Sequence, residues 1–390
     1  MSLLVFRCSP EEAKKERAMR AALLHYDSHT PRLEEVTVEE PRHGEVLVKI
    51  AASGICGSDL HVVHNRSNVG KDRPVILGHE GAGVVEAVGP GVRDLKRGDH
   101  VVMAMFGPCG HCDQCNSGKQ QFCDGPEFKS AIGRMWDDST RFSQDGRMVF
   151  PMVGVGSLAE YAVMREAMLV KVAPHLPLDR LCFCACSVTT GLGAVFNVAK
   201  VTPGASVAVI GCGGVGLNVI QGSRIAGASR IIAIDTNKAK LDIAANMGAT
   251  DLLQSGGDPA EIDAAVKALE PRGVDFAFEV VGNHALIRQA VGFTGRGGTT
   301  VMIGGVPWAS DVSVNAGLLF GERKLMGCLG GGNIPGREIS RIVGLYERGM
   351  LKLDELVGKT FDFDDIGDAI AEADRAQTAK TVVAIDRALL

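Results

Sequence analysis

Val207-Ala-Val-Ile-Gly211-Cys-Gly213-Gly214-Val215-Gly216 is the stretch on which the fold turns: an apolar, β-branched run, then G-x-G-x-x-G, then helix-forming residues from near Val215. That order predicts a strand, a tight turn and a helix, the opening of a unit that cradles a dinucleotide. Gly211 permits the turn, Gly213 lets backbone approach a pyrophosphate, and Gly216 lets helix pack on strand. Gly214 and Val215 open the helix, whose first N–H groups face the anion. A chain with 49 glycines can produce such spacing as loop punctuation, so context has to carry the reading. Asp235 supplies it. It ends the next apolar run, Ile231-Ile-Ala-Ile, about 20 residues on, where a carboxylate accepts hydrogen bonds from the adenosine ribose and repels a 2′-phosphate. Thr236 and Asn237 follow, with no Arg to receive that phosphate, so NAD is expected over NADP. A purely local role, capping the next helix, also fits Asp235 but leaves the glycines unexplained.

Outward from this turn, residues from about Thr189 to Leu329 alternate buried strands with helix-length amphipathic segments, which predicts a doubly wound parallel sheet in an α/β domain. From Met19 to about Gly98 the pattern differs. Short β-like runs such as Val46-Leu-Val-Lys-Ile and Ala82-Gly-Val-Val-Glu-Ala-Val, separated by Gly, Pro and Asp turns, predict a barrel-like all-β unit. The end of the chain, from about Gly330, reads as two helices around a short strand, too little for its own core and expected to dock back on the first unit. Residues 1–18 read as a charged extension.

A chain of 390 residues is long for one core, so two domains are the natural expectation. Hydrophobic residues at 46% and charged residues at 22% are a globular mixture that excludes wholesale disorder. With 41 basic and 46 acidic residues and no Lys/Arg block, nucleic acid is not an expected partner. No apolar run reaches the roughly 18 residues a membrane span needs, nor does the N-terminus carry a signal h-region, which predicts a cytoplasmic protein.

Eleven cysteines without a secretion signal point to metal ligation rather than disulfides. Cys109, Cys112, Cys115 and Cys123 form C-x2-C-x2-C-x7-C in a glycine-rich loop. Four such thiolates can close a tetrahedral structural zinc site, leaving no position for water; an iron–sulfur cluster is the competing reading. His111, inside the cluster, is expected to face solvent. Three further segments carry polar groups that packing does not demand: Gly54-Ile-Cys56-Gly-Ser58-Asp59-Leu-His61, Gly78-His79-Glu80, and Ala185-Cys186-Ser-Val-Thr-Thr190. Taken singly, His79 could be a satisfied core histidine and Cys186 a buried small hydrophobe, as Cys182 and Cys184 are expected to be. Together, two sulfurs and one imidazole leave a tetrahedral zinc one open position for a substrate oxygen.

From Met19 onward these residues resemble the zinc-containing alcohol dehydrogenases of the medium-chain dehydrogenase/reductase superfamily. The resemblance implies a GroES-like β-barrel catalytic domain (residues 19–188 and 330–390) and a Rossmann NAD-binding domain (189–329). It implies two zinc ions per chain: a catalytic one on Cys56, His79 and Cys186, and a structural one on the four clustered cysteines. Glu80 would lie behind the catalytic ligands, and Asp59 would orient His79 through its other ring N–H. Ser58 would take the proton of the bound alcohol, leaving an alkoxide, and relay it through the nicotinamide ribose to His61. Thr190, Lys240 and Lys380 would contact the cofactor, Lys380 at the phosphates, whereas Gly57 stands where relatives often carry a basic residue.

The implied reaction is reversible, NAD-linked hydride transfer between a primary alcohol and its aldehyde. Cys186, where the polyol branch has Glu, favours simple alcohols. Glu127, where the glutathione-dependent branch has Arg, disfavours a glutathione adduct. Met105 and Phe128, joined by Met152 or Val153, are expected to give an apolar channel for medium-chain or aromatic alcohols. The long segment between Cys123 and Tyr161 is in keeping with a homodimer. Two other readings remain open: an aldehyde dismutase or formaldehyde dehydrogenase with NAD held tightly, and a non-catalytic nucleotide-binding relative, although no ligand is missing.

Overall fold

The computed structural model describes residues 16–64, 73–125, 133–135, 137–256, 258–307 and 309–390. Among them the strands form three sheets. The run Ser206–Ile210 is buried along its whole length and takes the centre of a six-stranded parallel sheet. Its neighbours in order are Asp251–Gln254, Arg230–Asp235, Ser206–Ile210, Val274–Glu279, Thr294–Met302 and Lys324–Gly327. That is the 3-2-1-4-5-6 order of a Rossmann sheet, which opens a crevice at the carboxyl ends of its central strands. Helices including Gly214–Ile225, Lys238–Met247 and His284–Phe293 cover its faces.

The remaining strands build the catalytic unit. Glu16–Leu24, Arg32–Glu39, Phe142–Gln144, Arg147–Pro151 and Val75–Ile76 close into a barrel. A seven-stranded sheet lies beside it, centred on Glu45–Ile55, a long strand that pairs with Glu80–Val88, Tyr161–Arg165 and Lys380–Ala384. The C-terminal stretch therefore supplies two strands, Val357–Asp362 and Lys380–Ala384, where the sequence suggested one. Thr381 pairs with Ile55, so the chain end is woven into the strand that leads to Cys56.

The N-terminal boundary also needs correcting. The first described strand starts at Glu16, three residues before Met19, and its pairing runs unbroken from Glu16↔Glu39 to Leu23↔Arg32. Charge hid this, because Glu16 and Arg17 look like extension. In the fold the Arg17 guanidinium lies 4.7 Å from the centroid of the Tyr161 ring, which favours a cation at the strand start. Deeper in the barrel, Arg141 is fully buried and pairs bidentately with Glu45, its Nε 2.8 Å and Nη2 2.6 Å from the two carboxylate oxygens. Such a pair is tolerated in an interior only because each charge satisfies the other. It ties the segment after Asp137 to the start of the central strand.

Candidate active site

The glycine turn takes the shape its sequence demands. Gly211 has φ +97°, a left-handed conformation that a side chain resists. A Cβ on Gly216 would overlap the carbonyl oxygen of Gly211, so helix and strand could not approach without glycine there. Gly213, by contrast, faces open space, leaving its backbone accessible at the helix N-terminus. Asp235 supports the turn from the neighbouring strand: its carboxylate accepts the N–H of Cys212 (2.7 Å) and of Asn237 (2.9 Å). The cap of the following helix is Asn237, whose side chain accepts from Ala239, so Asp235 is not needed for that task. Thr190 and Lys240 lie on flanking helices, Thr190 buried and Lys240 half-buried one turn into Lys238–Met247.

The four clustered cysteines converge. Their sulfurs all lie within 4.8 Å of one another, with Cys109–Cys115 at 3.8 Å and Cys112–Cys123 at 4.0 Å. Four sulfurs about 2.3 Å from one ion stand about 3.8 Å apart in a tetrahedron, so the set fits a single zinc, and its small span leaves no room for a cluster of several irons. Backbone N–H groups of His111 and Cys112 point at Cys109 Sγ and lower its pKa to about 6, while burial raises Cys115 to about 12. His111 itself is exposed, its ring on the carbonyl oxygen of Cys109. Arg165, at the end of a strand of the seven-stranded sheet, fastens the lobe to that sheet through the carbonyl oxygens of Gly107 and Pro108.

Cys56, His79 and Cys186 also meet, their ligand atoms within 4.8 Å, although they come from three separate elements. Cys56 precedes the helix Gly57–Val63, His79 sits between Gly78 and the strand Glu80–Val88, and Cys186 lies where a short 3-10 turn gives way to the helix Ser187–Gly193. Two buried carboxylates hold these elements in register. Asp59 accepts the N–H of Cys56 (2.8 Å) and of Gly78 (2.9 Å). Glu80 accepts the N–H of Ser187 (3.0 Å). The implied hydrogen bond from His79 to Asp59 is only a close approach, Nδ1 to Oδ1 at 3.4 Å, and Nδ1 is buried without a hydrogen-bond partner. The larger role of Asp59 is therefore to join the two backbone segments that carry ligands. Burial opposes protonation of His79, yet Asp59 and Cys56 hold its pKa well above the usual value. The hydrogen bond from Cys186, against burial and with help from His79, draws the Cys56 thiol well below the usual thiol range. Two thiols, one of them made more acidic by its neighbours, and an imidazole form a donor set that suits a zinc ion. Ser58 Oγ lies 3.1 Å from His79 Nε2, at the exposed side of the group.

Lys380 departs from expectation. Its ammonium is buried, paired with Glu80 and donating to the carbonyl oxygen of Ile55 at 2.8 Å, so its charge is taken up inside the protein. Its stem passes beside Gly214, where a Cβ would stand 2.5 Å from Lys380 Cδ. Lys380 thus bridges the glycine turn and the Cys–His–Cys group. No sequence signal gave the pairing of Lys380 with Glu80.

Of the channel residues, Met105 is half-buried, whereas Met152 is taken into a core cluster with Leu24, Val63, Leu77 and Leu158. Val153 packs beside two such clusters. Glu127 and Phe128 lie outside the described residues. Phe106, not singled out from sequence, is buried with its ring against Gly330; an aromatic residue beside Met105 was the available signal. Cys182 and Cys184 are fully buried, with pKa values pushed up by desolvation, as expected of inert thiols. Among the described residues no single helix is long and apolar enough to cross a membrane.

Comparison with known proteins agrees with this geometry. Residues 42–174 match the alcohol dehydrogenase GroES-like domain and residues 214–346 the zinc-binding dehydrogenase domain. An S-(hydroxymethyl)glutathione dehydrogenase of Synechocystis sp. is 39% identical over 368 residues, covering 93% of this chain and 99% of its own. One from Haemophilus influenzae is 38% identical, covering 93% and 96%. The crystal structure of benzyl alcohol dehydrogenase from Acinetobacter calcoaceticus superposes with a TM-score of 0.88 at 32% identity, over 95% of this chain and all of that one. An alcohol dehydrogenase zinc-binding domain protein from Burkholderia ambifaria gives the same TM-score at 33% identity and the same coverage. With both domains matched and relatives spanning nearly the whole chain, this protein belongs to the zinc-containing alcohol dehydrogenases of the medium-chain dehydrogenase/reductase superfamily, oxidoreductases that work with zinc and NAD.

Proposed function

We propose that this protein interconverts primary alcohols carrying an apolar, medium-chain or aromatic substituent with their aldehydes, using NAD and a zinc held by Cys56, His79 and Cys186. The observation that carries the reading is Lys380, whose stem lies against the glycine turn and whose ammonium lies on Glu80 beside the ligand His79, so that one side chain spans from the turn to the ligand group. When bound there, zinc supplies the positive charge that acidifies an alcohol or polarises an aldehyde carbonyl. Ser58, exposed at the mouth of the group, is placed to take the alcohol proton while giving up its own, and His61, in the last turn of the same helix, to release a proton to solvent. Asp59 and Glu80 keep the three ligands in place by holding their backbones. The second zinc, on Cys109, Cys112, Cys115 and Cys123, has a structural role. Asp235 selects NAD over NADP through the ribose.

Half-buried Met105, buried Phe106 and the likeness to a benzyl alcohol dehydrogenase support an apolar substrate. The names of the relatives at 38–39% identity favour a second reading, oxidation of S-(hydroxymethyl)glutathione. Initial rates with ethanol, hexanol, benzyl alcohol and formaldehyde plus glutathione separate them. The expected order places hexanol and benzyl alcohol about tenfold or more above ethanol in kcat/KM, since burial of about two methylenes is already worth a factor of ten. Equal rates for ethanol and benzyl alcohol would remove the apolar pocket, and a dominant rate with glutathione present would establish the second reading.

A homodimer is part of the proposal. Among the described residues the outermost strand of the parallel sheet, Lys324–Gly327, has one unpaired edge, and beside it Phe320 is 90% exposed, with Leu319, Met326 and Leu329 also exposed. An open edge flanked by apolar residues is suited to pairing with a second copy across a two-fold axis. Phe320→Asp is expected to shift the mass measured by light scattering from dimer toward monomer. A wild-type monomer at micromolar concentration would contradict the assignment.

A further inference from the structure

Glu279 ends the strand Val274–Glu279, opposite Ile210 in the parallel sheet, and is fully buried. Its Oε1 accepts three successive N–H groups, from Val281 (3.0 Å), Gly282 (2.8 Å) and Asn283 (3.3 Å). Its Oε2 is buried with no hydrogen-bond partner among the described residues. A carboxyl group in such a place is costly, and a neutral side chain could end a strand as well.

What Glu279 holds gives it a purpose. Val281 packs against the glycine turn, where a Cβ on Gly211 would lie 2.7 Å from Val281 Cγ2. Gly282 is seated on Gly304 and Gly305 so tightly that a Cβ on Gly304 would overlap the Gly282 nitrogen. The backbone carbonyl of Glu279 accepts from Ile303 (2.8 Å) and Gly304 (3.1 Å), fixing that second loop too. Gly305 in turn faces His61, with an added Cβ 3.7 Å from His61 Nδ1. One residue thus anchors both the loop under the dinucleotide turn and the loop beside His61.

We propose that Glu279 is a positioning residue for the reaction: by fixing the Val281–Asn283 turn through Oε1, it sets the seat of the dinucleotide between Gly211 and His61. The inference rests on the dinucleotide reading given above. Glu279 touches no reacting atom and acts through the two loops. Burial pushes its carboxyl pKa up, against the three N–H groups that hold it down. The working element is an oxygen acceptor at a fixed place, which an amide also offers.

Three variants of the full-length, zinc-loaded protein test this: Glu279→Gln, Glu279→Leu and Glu279→Asp, whose carboxyl falls one methylene short. NAD affinity is read by titration calorimetry, alongside KM for NAD, kcat, zinc content and melting temperature. Glu279→Gln is expected to stay within about threefold of wild type in NAD affinity, while Glu279→Leu and Glu279→Asp weaken it about tenfold or more, from the loss of up to three hydrogen bonds to the turn. Zinc content should not change. Should Glu279→Leu not fold, the comparison of Gln with Asp carries the test. A lowered melting temperature with unchanged NAD affinity in both the Leu and Asp variants would reduce Glu279 to a stabilising residue and overturn the proposal. So would a Gln variant as weak as the others. A wild type that binds no NAD would instead defeat the dinucleotide reading itself.

Discussion

Cys56→Ala lowers the zinc content from two ions per chain to one and abolishes measurable NAD reduction with every alcohol; this is the largest effect expected of any single substitution here. The residual set, His79 and Cys186, offers two donors where a tetrahedral site needs three from the protein. Loss of the cation removes several kcal/mol of charge stabilisation, which corresponds to a fall of about a thousandfold or more in kcat. The fold should persist, because Asp59 bonds to the backbone N–H of residue 56 and not to its side chain. The four-cysteine lobe, built from a separate loop, should keep its zinc. Emission spectroscopy for metal, run beside the assay, reads both. Two zincs retained in the variant, or turnover undiminished, would show that the metal group is not where Cys56, His79 and Cys186 meet.

The second large effect is on cofactor choice. Asp235→Ser is expected to raise KM for NAD by about 10- to 100-fold, as a charge-assisted pair of ribose hydrogen bonds is lost, and to change KM for NADP little or to lower it. The sign for NADP follows from charge, since removing the carboxylate removes repulsion of the 2′-phosphate. The structure adds a complication. Asp235 also accepts the N–H of Cys212 within the glycine turn, so its loss loosens the seat of both cofactors. The ratio of the two KM values isolates the ribose contribution, because loosening of the turn weighs on each alike. Equal changes for NAD and NADP would leave Asp235 as a support for the turn alone.

Much of this was legible because it is local. The conformation of Gly211 and the tight packing of Gly216 follow from steric rules acting over a few residues, and those rules write themselves as G-x-G-x-x-G. The four clustered cysteines are similar: a loop of fifteen residues can close around one ion without help from the rest of the chain, so their spacing was informative before any fold was known. Met152 was misread because an apolar residue looks the same in sequence whether it lines a channel or fills a core. Glu16 and Arg17 were misread because charge at a chain end resembles solvated extension, while a strand edge accepts the same residues when a cross-strand partner is present.

By itself, then, the sequence determined the parallel-sheet domain with its dinucleotide turn, the four-cysteine lobe and the candidate donors Cys56, His79 and Cys186. Each is signalled by backbone geometry or donor chemistry that neighbouring residues impose. The tertiary structure alone decided which distant groups act on one another. Lys380 reaches the carbonyl oxygen of Ile55 across 325 residues of chain, and Glu80 reaches the N–H of Ser187 across 107. It decided that Asp59 ties two backbones together, that Lys380 turns inward to Glu80, and that Glu279 underpins two loops at once. Such pairings depend on how whole strands and helices pack, and the direction of a buried side chain is fixed by elements far away in sequence, where no short pattern can record it.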